Sequence, residues 1–296
     1  MPTSPEMSAI RHIRPSLAVG ADLGGTRLRV VSTRDGRVTA KVTTRAPRLE
    51  DLEKFLHSVW ATRGWTRRDI GALVVASRGI WTLRERRALA RRLASLARRV
   101  HVLSDAQAAL LGALGTGPGL LVLAGTGSIV IGRDRRGHWG RAGGLGPLLG
   151  DEGSAFWIGR AWLRATTSGE DFAPVRRLLA RPDAVARIAA LAPAVLRRAR
   201  HDPRARAIVA EAQRHLARLA VDVARRLRLP RPVDVSWAGG VLGDPTFRRG
   251  VARALAREGV KARWVAPAGE PAAAALALAA RAARFPHAPG PGARVL

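Results

Sequence analysis

The ordered part of the chain opens on three runs of strand length, residues 17–22 (LAVGAD), 27–33 and 37–44, apolar or β-branched and separated by small or polar residues. Arg34, Asp35 and Gly36 between the second and third fit a tight hairpin turn. The pattern then alternates between helical and strand periods. Residues 49–62 predict a helix, 71–77 (GALVVAS) a buried strand, 84–98 an amphipathic helix, 100–105 (VHVLSD) a strand and AQAALLGAL a further helix. The order is βββαβαβα.

After a break at Gly115–Gly119 that order starts again, with strands at 119–124, 128–133 and 138–141. A helical stretch from Gly153 to Leu229, punctuated by Pro174, Pro182, Pro193 and Pro203, then intervenes. A strand at 233–239, a helix at 245–257, a strand at 261–266 and a helix at 270–283 complete the second copy. The expectation is an α/β protein with a duplicated architecture. Its N-terminal lobe covers 16–115 and its C-terminal lobe 116–285, the latter with a helical insertion at about 153–229; residues 1–15 and 286–296 read as loose tails.

Composition narrows the function. With 296 residues, 47% of them hydrophobic, the chain can bury a sizeable core. No run approaches the roughly 18–20 apolar residues of a membrane helix, and the first fifteen residues hold no apolar signal core, so the expected location is the cytoplasm. The absence of cysteine excludes thiolate zinc sites, Cys-bound iron–sulfur clusters and cysteine nucleophiles. The net charge of +29 invites a nucleic-acid reading. Against it, lysine occurs only at Lys41, Lys54 and Lys261, the arginines are spread along helix faces, and few aromatics are interleaved with them to stack on bases. The seven histidines show no metal-ligand spacing and suggest no hydrolytic triad.

The leading hairpins of the two copies, ADLGGTRL at 21–28 and LAGTGSIV at 123–130, each run an apolar strand into a small-residue turn and out into a second strand. Consecutive backbone N–H groups in such a turn form an anion-binding concavity. In the first, Gly24 and Gly25 let the backbone approach a phosphate, Thr26 offers a hydroxyl and Arg27 a charge; Gly125, Thr126 and Gly127 form the matching turn. Asp22 would repel a phosphate, and makes sense as a ligand, through water, of a Mg²⁺ that a nucleotide brings. Asp105, at a strand-to-helix junction, reads either as a helix N-cap or as a general base for a hydroxyl in line with the γ-phosphate. Asp151 and Glu152, in a glycine-dense loop, read either as favourable charge at a helix start or as hydrogen-bond partners of vicinal sugar hydroxyls. Gly239 and Gly240 would let an adenine lie against the backbone with Val241 alongside. Ser77 or Arg78, ending a strand, would touch substrate; in both segments a plain loop is the other reading.

The succession DLGGT (22–26), LSDA (103–106), AGTGS (124–128), GGLGPLLGDEGSAFWIG (143–159) and WAGGV (237–241) resembles the N-acetylglucosamine kinase-like branch of the BadF/BadG/BcrA/BcrD ATPase family. That resemblance covers roughly residues 17–283. It implies a duplicated ribonuclease H-like (actin-like ATPase) fold with two lobes around an ATP cleft, ATP and Mg²⁺ as cofactors, and often a homodimer. It also implies transfer of the γ-phosphoryl group to a hexose 6-hydroxyl. By the same resemblance Asp105 is the base, Asp22 the metal-side carboxylate, and Gly239 and Gly240 the adenosine turn. Ser128, Gly144, Leu145, Asp151 and Glu152 fall on the sugar side. Zero cysteine removes the branch of the family that carries a Cys-bound cluster. On the sugar side the chain lacks any Asn, has Leu145 where GGWG carries an aromatic, and has Ile129 after GTGS. The acceptor therefore stays open among N-acetylglucosamine, glucosamine, another amino sugar and glucose, and a nucleotide-binding regulator that uses its basic surface is the competing class.

Overall fold

The computed structural model describes residues 16–24, 27–167 and 172–284. Gly25 and Thr26 of the first turn, and both terminal segments read as tails, lie outside the described residues.

Five strands form the first sheet: β1 (Leu17–Leu23), β2 (Arg27–Arg34), β3 (Arg37–Arg45), β4 (Ile70–Ser77) and β5 (Val100–Ser104), in the order β3-β2-β1-β4-β5. β1 is antiparallel to β2 and parallel to β4. The β2–β3 turn has positive φ at both Asp35 and Gly36, the backbone of a two-residue turn whose twist suits a hairpin. β1 and β4 are buried along their whole length, which requires cover on both faces. On one face Leu17, Val19, Ala21 and Leu23 pack with α1 (Leu52–Thr62) and α2 (Leu83–Arg92). On the other, Ala18, Ala72 and Val74 pack with α3 (Asp105–Leu114) and the last helix of the chain.

The second sheet repeats the plan with β6 (Gly119–Ala124), β7 (Ser128–Arg133), β8 (Trp139–Gly143), β9 (Val233–Ala238) and β10 (Ala262–Trp264), ordered β10-β9-β6-β7-β8. β6 is again antiparallel to its successor and parallel to the strand beyond. Between β8 and β9 the chain forms α4 (Gly146–Leu149), α5 (Ala155–Thr166), α6 (Phe172–Leu179), α7 (Ala184–Ala189), α8 (Ala192–Arg198) and α9 (Pro203–Arg226). Prolines mark the starts as expected: Pro193 and Pro203 sit in the first turn of α8 and α9. Then α10 (Gly240–Gly243) and α11 (Pro245–Arg257) precede β10, and α12 (Pro271–Arg284) ends the described chain. Two duplicated five-stranded α/β sheets of the actin-like ATPase and sugar kinase type are thus present.

One expected helix is shorter than its pattern. Periodicity carries 84–98 as one helix, yet α2 stops at Arg92. Arg98 N donates to Ile70 O and Leu73 N to Arg99 O, so the chain must leave the helix axis to reach the edge of β4.

Although last among the described elements, α12 lies against β1, β4 and α3. Gly20 explains how it gets there, because a Cβ at this position would sit 2.4 Å from Leu276 N and 2.7 Å from its Cα. The neighbour is helix backbone and has nowhere to go. Gly20→Ala is expected to cost about 2–3 kcal/mol by overpacking, read as a lower denaturation midpoint in urea; an unchanged midpoint would show that α12 docks loosely. The same strand alternation puts Asp22 on the α3 and α12 face with Ala18 and Gly20.

Candidate active site

In-register pairing brings Leu23 of β1, Ser77 of β4 and Ser104 of β5 side by side at the carboxyl end of the first sheet. Such an edge is where α/β sheets bind ligands. Gly24, Arg27, Ser77, Arg78, Asp22 and Asp105 all lie along it. Gly24 N donates to Arg27 O at 3.0 Å, closing the first turn, and Arg78 N reaches Leu23 O at 3.3 Å. Ser77 is buried and donates its hydroxyl to Arg78 O.

The N-cap of α3 is Ser104, not Asp105. Ser104 Oγ accepts from Gln107 N at 3.1 Å while Gln107 Oε1 accepts from Ser104 N at 3.1 Å, a reciprocal cap that Arg86 Nη1 braces at 3.2 Å. Asp105 is therefore the first residue inside the helix, and its carboxylate touches only its neighbour's N–H, Ala106 N at 2.8 Å, among the described side-chain bonds. Burial pushes its carboxyl above the ordinary aspartate range, opposed by backbone N–H groups and by the Arg78 guanidinium. Asp22 is raised likewise, first by burial; Arg29, 3.5 Å away, pulls it down, while Asp105 and Glu270 push it up. Asp105 and Glu270 thus both oppose ionisation of Asp22.

Among the described residues no three His, Cys, Asp or Glu side chains converge to cage a metal. A divalent cation held here would have to bring ligands of its own, as Mg²⁺ does when a nucleotide carries it. Asp22 fits that arrangement: one buried carboxylate, aimed at the α3 and α12 face, whose repulsion with Asp105 and Glu270 a cation would relieve.

The second turn is braced by α5. Gly125 N donates to Gly127 O, while Gly125 O and Thr126 O accept from Ala155 N and Phe156 N at the start of α5. Ser154 Oγ and Ser154 O take the next two N–H groups of that helix, those of Trp157 and Ile158. The turn's carbonyls are thereby tied down, whereas Thr126 N and Gly127 N have no acceptor among the described residues. Two adjacent free N–H groups are what an anion needs.

Asp151 is not helix-start charge. α5 begins only at Ala155, so Asp151 and Glu152 are not in its first turn. Asp151 instead adopts φ 63°, is buried, and accepts Ser128 N on Oδ1 at 3.1 Å. A Cβ on Gly127 would lie 2.8 Å from its Oδ2, so the glycine is what admits the carboxylate. Burial raises the Asp151 carboxyl, the Ser128 N–H lowers it and Glu152 raises it further. Ser128 Oγ donates to Glu152 O at 2.8 Å and Ser128 O accepts Gly144 N at 2.9 Å. The glycine-dense loop is therefore laced to the Gly125–Ser128 turn, and packing accounts for more of its glycines than composition suggests: a Cβ on Gly144 would strike Ile129, and one on Gly153 would strike Leu216 and Ala212 O. Leu145, Leu148 and Leu149 between them are 59%, 92% and 78% exposed.

Gly239 and Gly240 separate in role. Gly239 has φ 92° and would place a Cβ 2.3 Å from Ala124 O, whereas Gly240 meets nothing within 4 Å. Gly240 and Val241 line a cavity of about 610 Å³ together with Gly125 and Thr126. Its other wall is Ala186, Ala189, Ala190, Ala192 and Pro193 from α7 and α8, residues no motif singled out; the signal was a run of small side chains within an amphipathic stretch. The volume suits a nucleoside. α3 joins the two halves, packing on β4 and β5 of one sheet and on β6, β7 and β9 of the other, and Arg141 of β8 lies 4.7 Å over the Trp81 ring.

A sequence profile of the BadF/BadG/BcrA/BcrD ATPase family matches residues 19–279. The chain belongs to this family. Among solved structures, a candidate N-acetylglucosamine kinase from Chromobacterium violaceum is similar to this chain, with 27% identity and a TM-score of 0.62 over 89% of this chain and 99% of that one. The N-acetylmuramic acid/N-acetylglucosamine kinase of Clostridium acetobutylicum is 27% identical over 165 residues, 52% of this chain and 54% of its own length. The N-acetyl-D-glucosamine kinase of Dictyostelium discoideum is 47% identical over 53 residues, 18% of this chain and 17% of its own. The chain thus spans about half the length, or less, of the curated relatives it matches. Among the described residues no helix is long and apolar enough to cross a membrane.

Proposed function

We propose that this BadF/BadG-family ATPase is a kinase that transfers the γ-phosphoryl group of ATP to a hydroxyl, the 6-OH, of a hexose or amino sugar. The observation that carries the reading is Asp105: a partly buried carboxylate at the mouth of the first sheet whose capping duty has passed to Ser104, leaving it free to accept a proton. Thr126 N and Gly127 N would hold phosphate oxygens, with the Gly24 turn opposite, and the alanine-walled cavity would take the adenosine. Mg²⁺ bound to the nucleotide would neutralise charge on the transferring group. Asp22 would hold it through water. Asp105 accepts the proton of the attacking hydroxyl, and Arg78 beside it limits how far burial can suppress its ionised form.

On the acceptor side Asp151, Glu152, Ser128, Gly144 and Leu145 supply the contact set. Because Asp151 and Ser128 are tied to each other, sugar contacts here would also report on the phosphate turn. The acceptor classes to be compared include the N-acetylated sugars for which the clostridial and amoebal relatives are named. ADP release measured over hexoses, amino sugars, N-acetylated sugars and muramic derivatives tests the proposal: one class should stimulate release well above the rest. ATP binding with no stimulation by any sugar would replace this reading with a nucleotide-binding regulator.

Asp22→Ala is expected to weaken Mg²⁺-dependent ATP binding roughly tenfold, the lower range for loss of an outer ligand, while binding without Mg²⁺ stays the same or tightens as a buried negative charge is removed. Titration calorimetry with and without the metal separates the two. Equal affinities for variant and parent in Mg²⁺ would make Asp22 a structural partner of Arg29 alone.

A further inference from the structure

Behind the alanine-walled cavity, α8, the first half of α9 and α11 enclose a groove of about 540 Å³. Arg197, Arg200, Arg206, Arg214, Arg253 and Arg257 line it, and Asp244 is its one acidic residue. The Asp244 carboxylate is occupied at the start of α11, accepting Thr246 N and Phe247 N on Oδ1, both at 2.8 Å. Arg206 is turned toward the end of α8, to Ala199 O and Arg200 O. The remaining five arginines have no carboxylate within 4.0 Å among the described residues.

Lack of a carboxylate partner is common on this arginine-rich surface, where only seven arginines have one within 4.0 Å among the described residues; what sets these arginines apart is that they line one concavity. The groove also has rigid walls. Gly250 of α11 is packed so closely on Gln213 of α9 that a Cβ would lie 2.1 Å from its Cδ, and Gln213 Nε2 donates to Phe247 O at 3.3 Å. A concavity lined by one sign of charge focuses the field at its centre, and guanidinium forks match phosphoryl oxygens two at a time. Five uncompensated forks exceed what a single phosphate can engage.

We infer that this groove is a binding site for a small anion carrying two or more phosphoryl groups, separate from the nucleotide cavity and independent of the acceptor. Leu196, Arg197 and Asp244 line both spaces. A ligand that draws in Arg197 therefore bears on the wall of the nucleotide cavity, and occupancy modulates nucleotide affinity.

The test is titration calorimetry with inorganic tripolyphosphate on the full chain in 150 mM salt, without Mg²⁺ and in the presence of excess ADP. One site is expected. The double variant Arg253→Ser/Arg257→Ser should weaken it roughly 30-fold or more, given about tenfold for each charge-assisted pair lost. Arg84→Ser/Arg87→Ser, which removes two exposed arginines of α2, should change it less than twofold. Equal loss in both double variants would mean diffuse attraction to a basic protein and would overturn the site. So would binding abolished by ADP, which would place tripolyphosphate in the nucleotide cavity, and so would a single-stranded 20-mer oligonucleotide binding more tightly with the same dependence on Arg253 and Arg257. Circular dichroism of the variants, altered only at exposed positions, should match the parent.

Discussion

Asp105→Asn should lower kcat by roughly 10²- to 10⁴-fold, the range for losing a general base, with ATP affinity nearly unchanged. Asparagine keeps the shape and the contact with the start of α3, and Ser104 with Gln107 continues to cap the helix, so only proton acceptance is lost. Two accompanying changes separate this from general damage. Because burial raises the Asp105 carboxyl, the acid limb of kcat/KM in the parent lies above the ordinary aspartate range, and activity falls as pH drops through it. The limb should flatten in the variant, which has no carboxyl to titrate at this position. Stability moves the opposite way. A carboxyl whose pKa is higher folded than unfolded adds stability below its unfolded value and loses it as pH rises through the folded one. At neutral pH ionised Asp105 therefore burdens the unliganded protein, and Asp105→Asn should melt at the same or a slightly higher temperature while being nearly inactive. Full turnover by the variant would end the assignment; a lowered melting temperature would make Asp105 a structural residue.

The elements that could be read from the chain are those whose signals are local. β1 and β6 are apolar runs stopped by small residues, and the Asp35–Gly36 turn carries its own conformational preference, so the duplicated order of strands was legible before any contact was known. The turn at Gly125–Gly127 was legible for the same reason: what it requires, glycine and small hydroxyl residues between two strands, is written at one place. What was not legible depends on residues far apart in sequence. Gly20 reads as a weak strand residue until α12, more than 250 positions later, is seen packed on its bare backbone. The bond from Ser128 N to the Asp151 carboxylate, admitted by the bare Gly127, has no local signal. The alanine wall of the cavity beside Gly240 has no motif, because its contribution is the absence of side-chain bulk. The extent of α2 failed for a related reason: the apolar spacing of Leu93, Leu96 and Ala97 persists beyond Arg92 because those residues are buried, though in turns rather than in helix.

The two glycines after β9 provide a pair of substitutions with opposite expected signatures. Gly239→Ala meets two obstacles at once. Its φ of 92° with ψ 153° is a region open to glycine and strained for any side chain, and the added methyl would lie 2.3 Å from Ala124 O and 2.8 Å from Gly125 N. Both atoms are backbone of the second phosphate turn, which is itself held by α5 through Gly125 O and Thr126 O and cannot retreat. Strain and overpacking together cost about 3–5 kcal/mol, shared between a lower melting temperature and a distorted turn, and ATP affinity should fall at least a hundredfold. Gly240→Val adds more bulk with a different outcome. No atom lies within 4 Å of its would-be Cβ, and the side chain enters the cavity shared with Gly125 and Thr126. Its melting temperature should match that of the parent while the Kd for ATP, measured by calorimetry, rises roughly tenfold or more from loss of space for the nucleoside. ADP and ATP should weaken equally and tripolyphosphate, which has no nucleoside, should not. If Gly240→Val bound ATP as the parent does, the adenosine would have to lie elsewhere, and the alanine wall of α7 and α8 would be packing alone.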